Sequence, residues 1–101
     1  MTELVFHPDV YLEIQDAYYW YEAQALGLGN DFIAELEAAY QSIKQLPETW
    51  PKFGKNTRRF LLTTFPYAVV YKPGTAVCFV LAVMHQSRKP KYWRDRAKGK
   101  N

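Results

Sequence analysis

Val77-Cys78-Phe79-Val80-Leu81-Ala82-Val83-Met84-His85 contains the longest unbroken apolar stretch of the chain. Successive side chains of a strand point to opposite faces, so the spacing predicts Val77, Phe79, Leu81, Val83 and His85 on one face and Cys78, Val80, Ala82 and Met84 on the other. Both faces are apolar, which is the pattern of a central strand covered on two sides, with only its His85 end exposed. The stretch is far too short to cross a bilayer as a helix.

Working outward from this strand, Pro73-Gly74 marks a turn back to a β-rich run over residues 67–72, and Pro66 links that run to another over residues 58–63. Short connectors of this kind favour antiparallel neighbours. Residues 48–57, directly after Pro47, carry a proline, a glycine and an asparagine and read as a loop. Before the loop the period changes. Val10, Ile14, Ala17, Tyr21 and Ala25 recur at helical spacing, Gly27-Leu28-Gly29 interrupts them, and Phe32, Leu36, Ala39, Ile43 and Leu46 resume it until Pro47. Two helices joined by so short a turn form a hairpin. Residues 3–6 are β-prone, and Pro8 fits the first turn of the helix that follows. The expected fold is α+β, an antiparallel-rich twisted sheet with the helical hairpin on one face, in the order β-α-α-β-β-β. Its 101 residues make a single domain, 1–101, with a basic tail over residues 93–101.

Charge is segregated along the chain. Up to Leu46, eight acids oppose Lys44 alone; from Pro47 onward, twelve Lys and Arg residues oppose Glu48 and Asp95. A net charge of +3 therefore hides a dipolar sequence whose cationic half suits phosphate backbones or an acidic protein segment. Cys78 has no partner cysteine and sits in the apolar strand, so a buried thiol in a reducing compartment is expected. The N-terminus has neither the basic segment nor the apolar core of a signal peptide, which together with Cys78 predicts a cytoplasmic protein without a membrane. The chain has two histidines and no Gly-rich phosphate loop, GxSxG, HExxH or Cys/His ligand spacing, so neither a metal nor a cofactor is expected.

Several residues are candidates for chemistry or binding. Arg58 and Arg59 point to opposite faces of their strand, each as either a phosphate clamp or the partner of a carboxylate. His85 stands where the apolar strand meets the basic segment, as a general acid or base or as a hydrogen-bonded structural residue. Arg88, Lys89, Lys91, Tyr92, Arg94 and Arg96 extend the same rim. Tyr92 and Trp93 either stack on a base or fold back on the sheet. Pro90 predicts a fixed turn rather than a helix continuing from His85. Tyr18-Tyr19-Trp20-Tyr21 spreads around the helix, so part of this cluster, Tyr18, Tyr19 and Trp20 in particular, is exposed for a protein partner. Lys98, Lys100 and Asn101 read as a frayed end.

Arg58-Arg59-Phe60-Leu61-Leu62, then Phe65-Pro66-Tyr67-Ala68-Val69-Val70-Tyr71, then Val80-Leu81-Ala82-Val83-Met84-His85-Gln86-Ser87-Arg88-Lys89-Pro90-Lys91-Tyr92-Trp93 resemble the RelE/ParE superfamily, the toxins of bacterial type II toxin-antitoxin modules. Tyr21-Glu22-Ala23-Gln24 and Gly27-Leu28-Gly29-Asn30-Asp31-Phe32 resemble its helical hairpin. The pattern is nearer the ParE-like, plasmid-stabilisation side. The resemblance implies a toxin held in check by a cognate antitoxin, which would meet Tyr18, Tyr19 and Trp20. It also implies one of two targets. A ParE-like member inhibits DNA gyrase without being an enzyme, with Arg58, Lys89, Lys91, Arg94 and Arg96 as contacts. A RelE-like member is an mRNA interferase that cleaves ribosome-bound mRNA without a metal, and His85, Arg59, Arg88 and Tyr92 would then be catalytic. Lys52, Lys55 and Lys72 are all that represent the lysine set of such ribonucleases, so the gyrase reading is preferred. A basic DNA-binding module fits the charge, but both helices are acidic and neither suits a nucleic-acid groove.

Overall fold

The computed structural model describes residues 2–89 and the backbone of 91–97; the side chains of Lys91 and Ala97 are outside the description. The elements run β1 (Glu3–Phe6), α1 (Asp9–Gln24), α2 (Leu28–Gln45), β2 (Arg58–Leu61), β3 (Tyr67–Pro73), β4 (Val77–His85) and α3 (Lys91–Ala97). The strands form one sheet in the order β1-β4-β3-β2, with β1 parallel to β4 and the other neighbours antiparallel. The expected α+β order is therefore present, with β4 central. No described helix is long and apolar enough to cross a membrane.

The helical hairpin turns at Gly27, whose φ of 88° is open to glycine at little cost. Glu22 secures the turn, its carboxylate accepting hydrogen bonds from the backbone N–H groups of Gly27 and Gly29, both at 2.9 Å. It thereby satisfies donors that the first turn of α2 would otherwise leave orphaned. Gly29 also lets the helices approach closely, since a Cβ there would lie 2.7 Å from the Tyr18 ring. Val10, Ala17, Tyr21, Phe32, Leu36, Ala39 and Ile43 are buried against Val69, Tyr71, Cys78, Val80 and Val83 of the sheet. Ala25 and Leu46, the last members of the two periodic series, are the C-caps of their helices and are exposed.

The strict alternation expected along β4 does not hold. Tyr71 pairs with Val80 and Val70 with Ala82, so Leu81 is the extra residue of a β-bulge. One inserted residue reverses the phase of everything after it. Cys78 and Val80 accordingly join Val83 on the helix side, while Leu81, Ala82 and Met84 pack on the far side with Ala68, Val70 and Trp93. That second cluster is closed by α3, which extends the expected order by one element. Part of the expected basic tail is thus a folded helix: Trp93 is 2% exposed, with its indole N–H directed at the Met84 sulfur, 3.2 Å away. Pro90, Lys98, Lys100 and Asn101, for which a turn and a frayed end were expected, lie outside the described residues.

The bulge coincides with the end of β1. Phe6 pairs with Val80, His7 donates its N–H to the Val80 carbonyl at 2.9 Å, and the chain then turns away into α1. The outer edge of β4 beyond that point is met by side chains. Glu13 accepts the Val83 N–H at 2.9 Å, and Arg96 donates to the Leu81 carbonyl at 2.8 Å and to Glu13 at 2.9 Å. Both side chains are largely buried, 14% and 13% exposed, and Asp9 lies 3.7 Å from the same guanidinium. Removing one member strands the other charge inside the protein. Glu13→Ala is therefore expected to lower stability by about 3 kcal/mol in urea unfolding, whereas the double variant Glu13→Ala/Arg96→Met loses less than the sum of the two single changes.

Candidate functional site

The C-terminal end of β4 and its following turn form one wall of a cleft of about 630 Å³, and α1 forms the opposite wall. The turn is fixed by backbone bonds from Arg88 N–H to the His85 carbonyl, 3.0 Å, and from Gln86 N–H to the Pro66 carbonyl, 2.8 Å. These hold Arg88 at the mouth, where its guanidinium lies 3.7 Å above the Tyr92 ring. His85, Arg88 and Tyr92, expected along one rim, thus line one cavity. Trp20 lines it from α1 and is 60% exposed.

Two carboxylates share the cleft. Glu13 and Asp16 are among its lining residues, and Arg88 is the one permanent cation described there. Neither acid stood out in the charge pattern, because both belong to the acidic half of the sequence. Their signal is the helical offset: Glu13, Asp16, Ala17 and Trp20 lie at i, i+3, i+4 and i+7 and must share a face. Tyr67 was also missed. It pairs with His85 across the strands, their rings 5.3 Å apart and edge-to-face, and it packs on Tyr21 and Phe32 behind.

His85 is held within its own turn. The Ser87 N–H donates to its Nδ1 at 3.1 Å, and the Ser87 hydroxyl lies 2.8 Å from the same nitrogen. An Nδ1 that accepts a backbone hydrogen bond has its lone pair engaged, which assigns the ring proton to Nε2 in the neutral imidazole. The remaining ring nitrogen is then a donor. Around it the phenols are kept neutral. Burial raises the pKa of Tyr67, with the Asp16 charge adding to the rise and Arg88 opposing it, and burial likewise raises Tyr21. Burial, reinforced by Glu13 and opposed by Arg88 and Arg96, pushes Tyr92 up to about 12.

The other candidates are dispersed. Arg58 faces the helix side, where it donates to the Trp50 carbonyl at 2.7 Å and pairs with Glu48 at 3.2 Å. Arg59 lies on the opposite sheet face, its guanidinium 4.2 Å from the centre of the Phe53 ring. Neither lines the cleft. Arg96 is turned inward to Glu13, so this part of the basic half meets the acidic half inside the fold and not on a surface. Lys89 and Arg94 are exposed, and the side chain of Lys91 lies outside the description. Tyr19 is 60% exposed, next to Trp20, whereas Tyr18 is half-buried over Gly29.

The family model for the ParE toxin of the type II toxin-antitoxin system, parDE, matches residues 4–90. No curated protein matches by sequence. Among solved structures, a chain described as the chromosomal ParDE TA system from P. aeruginosa superposes with a TM-score of 0.61 at 13% identity, covering 84% of this chain and 96% of that one. At that identity the likeness is one of fold.

The raised phenols carry a stability consequence. A Tyr92 that ionises near pH 12 when folded, but near the ordinary value of 10.0 when unfolded, favours the fold fully below about pH 10 and loses that contribution as pH rises through about 12. The urea midpoint should fall across this window, with Tyr21 and Tyr67 contributing in the same direction, and Tyr92→Phe should flatten part of the decline.

Proposed function

Because the chain belongs to the ParE toxin family of type II toxin-antitoxin systems, we propose that it is the growth-inhibiting member of such a module, acting without catalysis on DNA gyrase in the cytoplasm and silenced by a cognate antitoxin. The observation that carries this reading against an mRNA endoribonuclease is the charge of the cleft. Glu13 and Asp16 share it with His85, Arg88 and Tyr92. Glu13 is balanced by Arg96, but the exposed Asp16 carboxylate beside Arg88 repels the phosphodiester that a ribonuclease must hold, and the cations expected to clamp it are elsewhere, Arg59 on Phe53 and Arg58 on Glu48. The imidazole fits the same conclusion. With Nδ1 occupied by Ser87, neutral His85 offers a proton but has no free lone pair to take one from a 2′-hydroxyl.

A cleft with aromatic walls, one arginine and two acids is instead suited to a folded or folding protein segment. Exposed Trp20 beside a concave surface is the kind of anchor on which protein interfaces concentrate their energy. The antitoxin is therefore assigned to the Trp20 side of the cleft, and Lys89 and Arg94, both exposed, remain available to the target.

Two measurements separate these assignments. Induction of the chain in a bacterium should arrest growth with a DNA-damage response and intact transcripts, and His85→Ala should leave the arrest unchanged; transcript cutting that disappears in His85→Ala would establish the ribonuclease instead. For the antitoxin, Trp20→Ala should weaken binding by about 2 kcal/mol, roughly 30-fold in Kd by calorimetry, and an unchanged affinity removes Trp20 from that interface.

A further inference from the structure

A second surface lies at the opposite end of β3 from the cleft. Tyr67, at one end of the strand, pairs with His85; Lys72, near the other, pairs with Phe79. Five steps of strand separate the two, about 17 Å. Around Lys72 are two adjoining hollows of about 490 and 580 Å³, and they share a wall made by Lys72 and the loop Gly54-Lys55-Asn56-Thr57. Lys52 stands on the first hollow and Arg94 on the second. None of these residues lines the cleft.

The loop between them is built, not slack. Gly54 and Asn56 adopt left-handed φ values of 93° and 63°. Thr57 is buried and donates its hydroxyl to the Phe53 carbonyl, while the Phe53 N–H donates to the Thr57 carbonyl at 2.9 Å. The backbones of Lys52 and Arg58 form a bridge across the base. Lys52, Lys55 and Arg94 are exposed on this frame. Among the described residues lining the two hollows, the acid is Glu48, and Arg58 already neutralises it at 3.2 Å. Three exposed cations, Lys52, Lys55 and Arg94, thus surround a fixed loop, and among the described lining residues no unpaired carboxylate stands beside them.

The geometry points to a cradle for the sugar-phosphate backbone of duplex DNA. Cations supply sequence-independent affinity for phosphates, whereas single-stranded nucleic acid is held by stacking its bases on exposed aromatic rings. Such a platform is lacking in the described lining. Trp93 is 2% exposed with its indole N–H committed to Met84, and nearby Phe53 has the Arg59 guanidinium over its ring. The inference rests on these cations and not on gyrase as the target, so it stands or falls with DNA binding by the isolated chain.

Fluorescence anisotropy of the purified full chain with a labelled duplex of arbitrary sequence tests it. Three phosphate contacts predict a slope of log affinity against log salt of about −2.7, which is roughly a 40-fold loss between about 50 and about 200 mM KCl. Lys52→Gln/Lys55→Gln, at two exposed positions, should cut the slope to about −0.9, while Arg88→Gln in the cleft should leave it unchanged. Absence of duplex binding at the lower salt, a slope indifferent to the lysine changes, an equal loss in Arg88→Gln, or tighter binding of a single strand of the same length each overturns the proposal.

Discussion

The buried pair of Glu13 and Arg96 is the interaction on which the arrangement of this molecule depends. β4 is the central strand, yet β1 covers only its first half, and a strand edge left open inside a protein has N–H and C=O groups that water cannot reach. Glu13 takes the donor and Arg96 the acceptor, and each neutralises the other. One contact thereby joins α1, the bulged strand and α3, three elements that the sequence keeps far apart. The walls of the cleft are two of those elements, so its shape follows from how a partly uncovered strand is finished.

Much of this fold was legible in the sequence because it follows from local period. The helical stripe from Val10 to Tyr21 and the one from Phe32 to Ile43 are core, the strands lie where the spacing of two begins, and the turn at Gly27 separates the helices. The bulge at Leu81 was not legible, since an apolar run reads the same with or without an inserted residue; it is defined by what β1 and β3 do on either side. α3 was obscured for a related reason. Its amphipathic signal is only two turns long and rests chiefly on Trp93, and the tertiary partners Met84 and Arg96 decide that it folds back.

The candidate site was half legible. His85, Arg88 and Tyr92 could be named from their position at the end of an apolar strand, and they do converge. Glu13 and Asp16 could not be assigned to them, because counting charge along a chain says nothing about which helix face is laid against which strand. The count suggested a molecule with an acidic wing and a basic rim, whereas packing brings Arg96 of the rim against Glu13 and Asp9 of the wing. The cleft is consequently of mixed sign, and the exposed positive charge collects instead at the far end of β3. The chemistry of each surface is set by that redistribution and not by the overall balance of +3.

The parallel pairing of β1 with β4 has an effect on how the chain comes into being. Glu3 must find Val77, and Glu13 must find Arg96, contacts that span 74 and 83 positions. Loop closure over such distances is slow, and nothing formed earlier can substitute for it. During synthesis β1 and the helical hairpin emerge with the apolar stripe uncovered, and the cleft does not exist until Tyr92 and Arg96 have left the ribosome. A chain that stops short of Arg96 therefore lacks the pair that finishes β4, and one wall of the cleft has nothing to hold it in place.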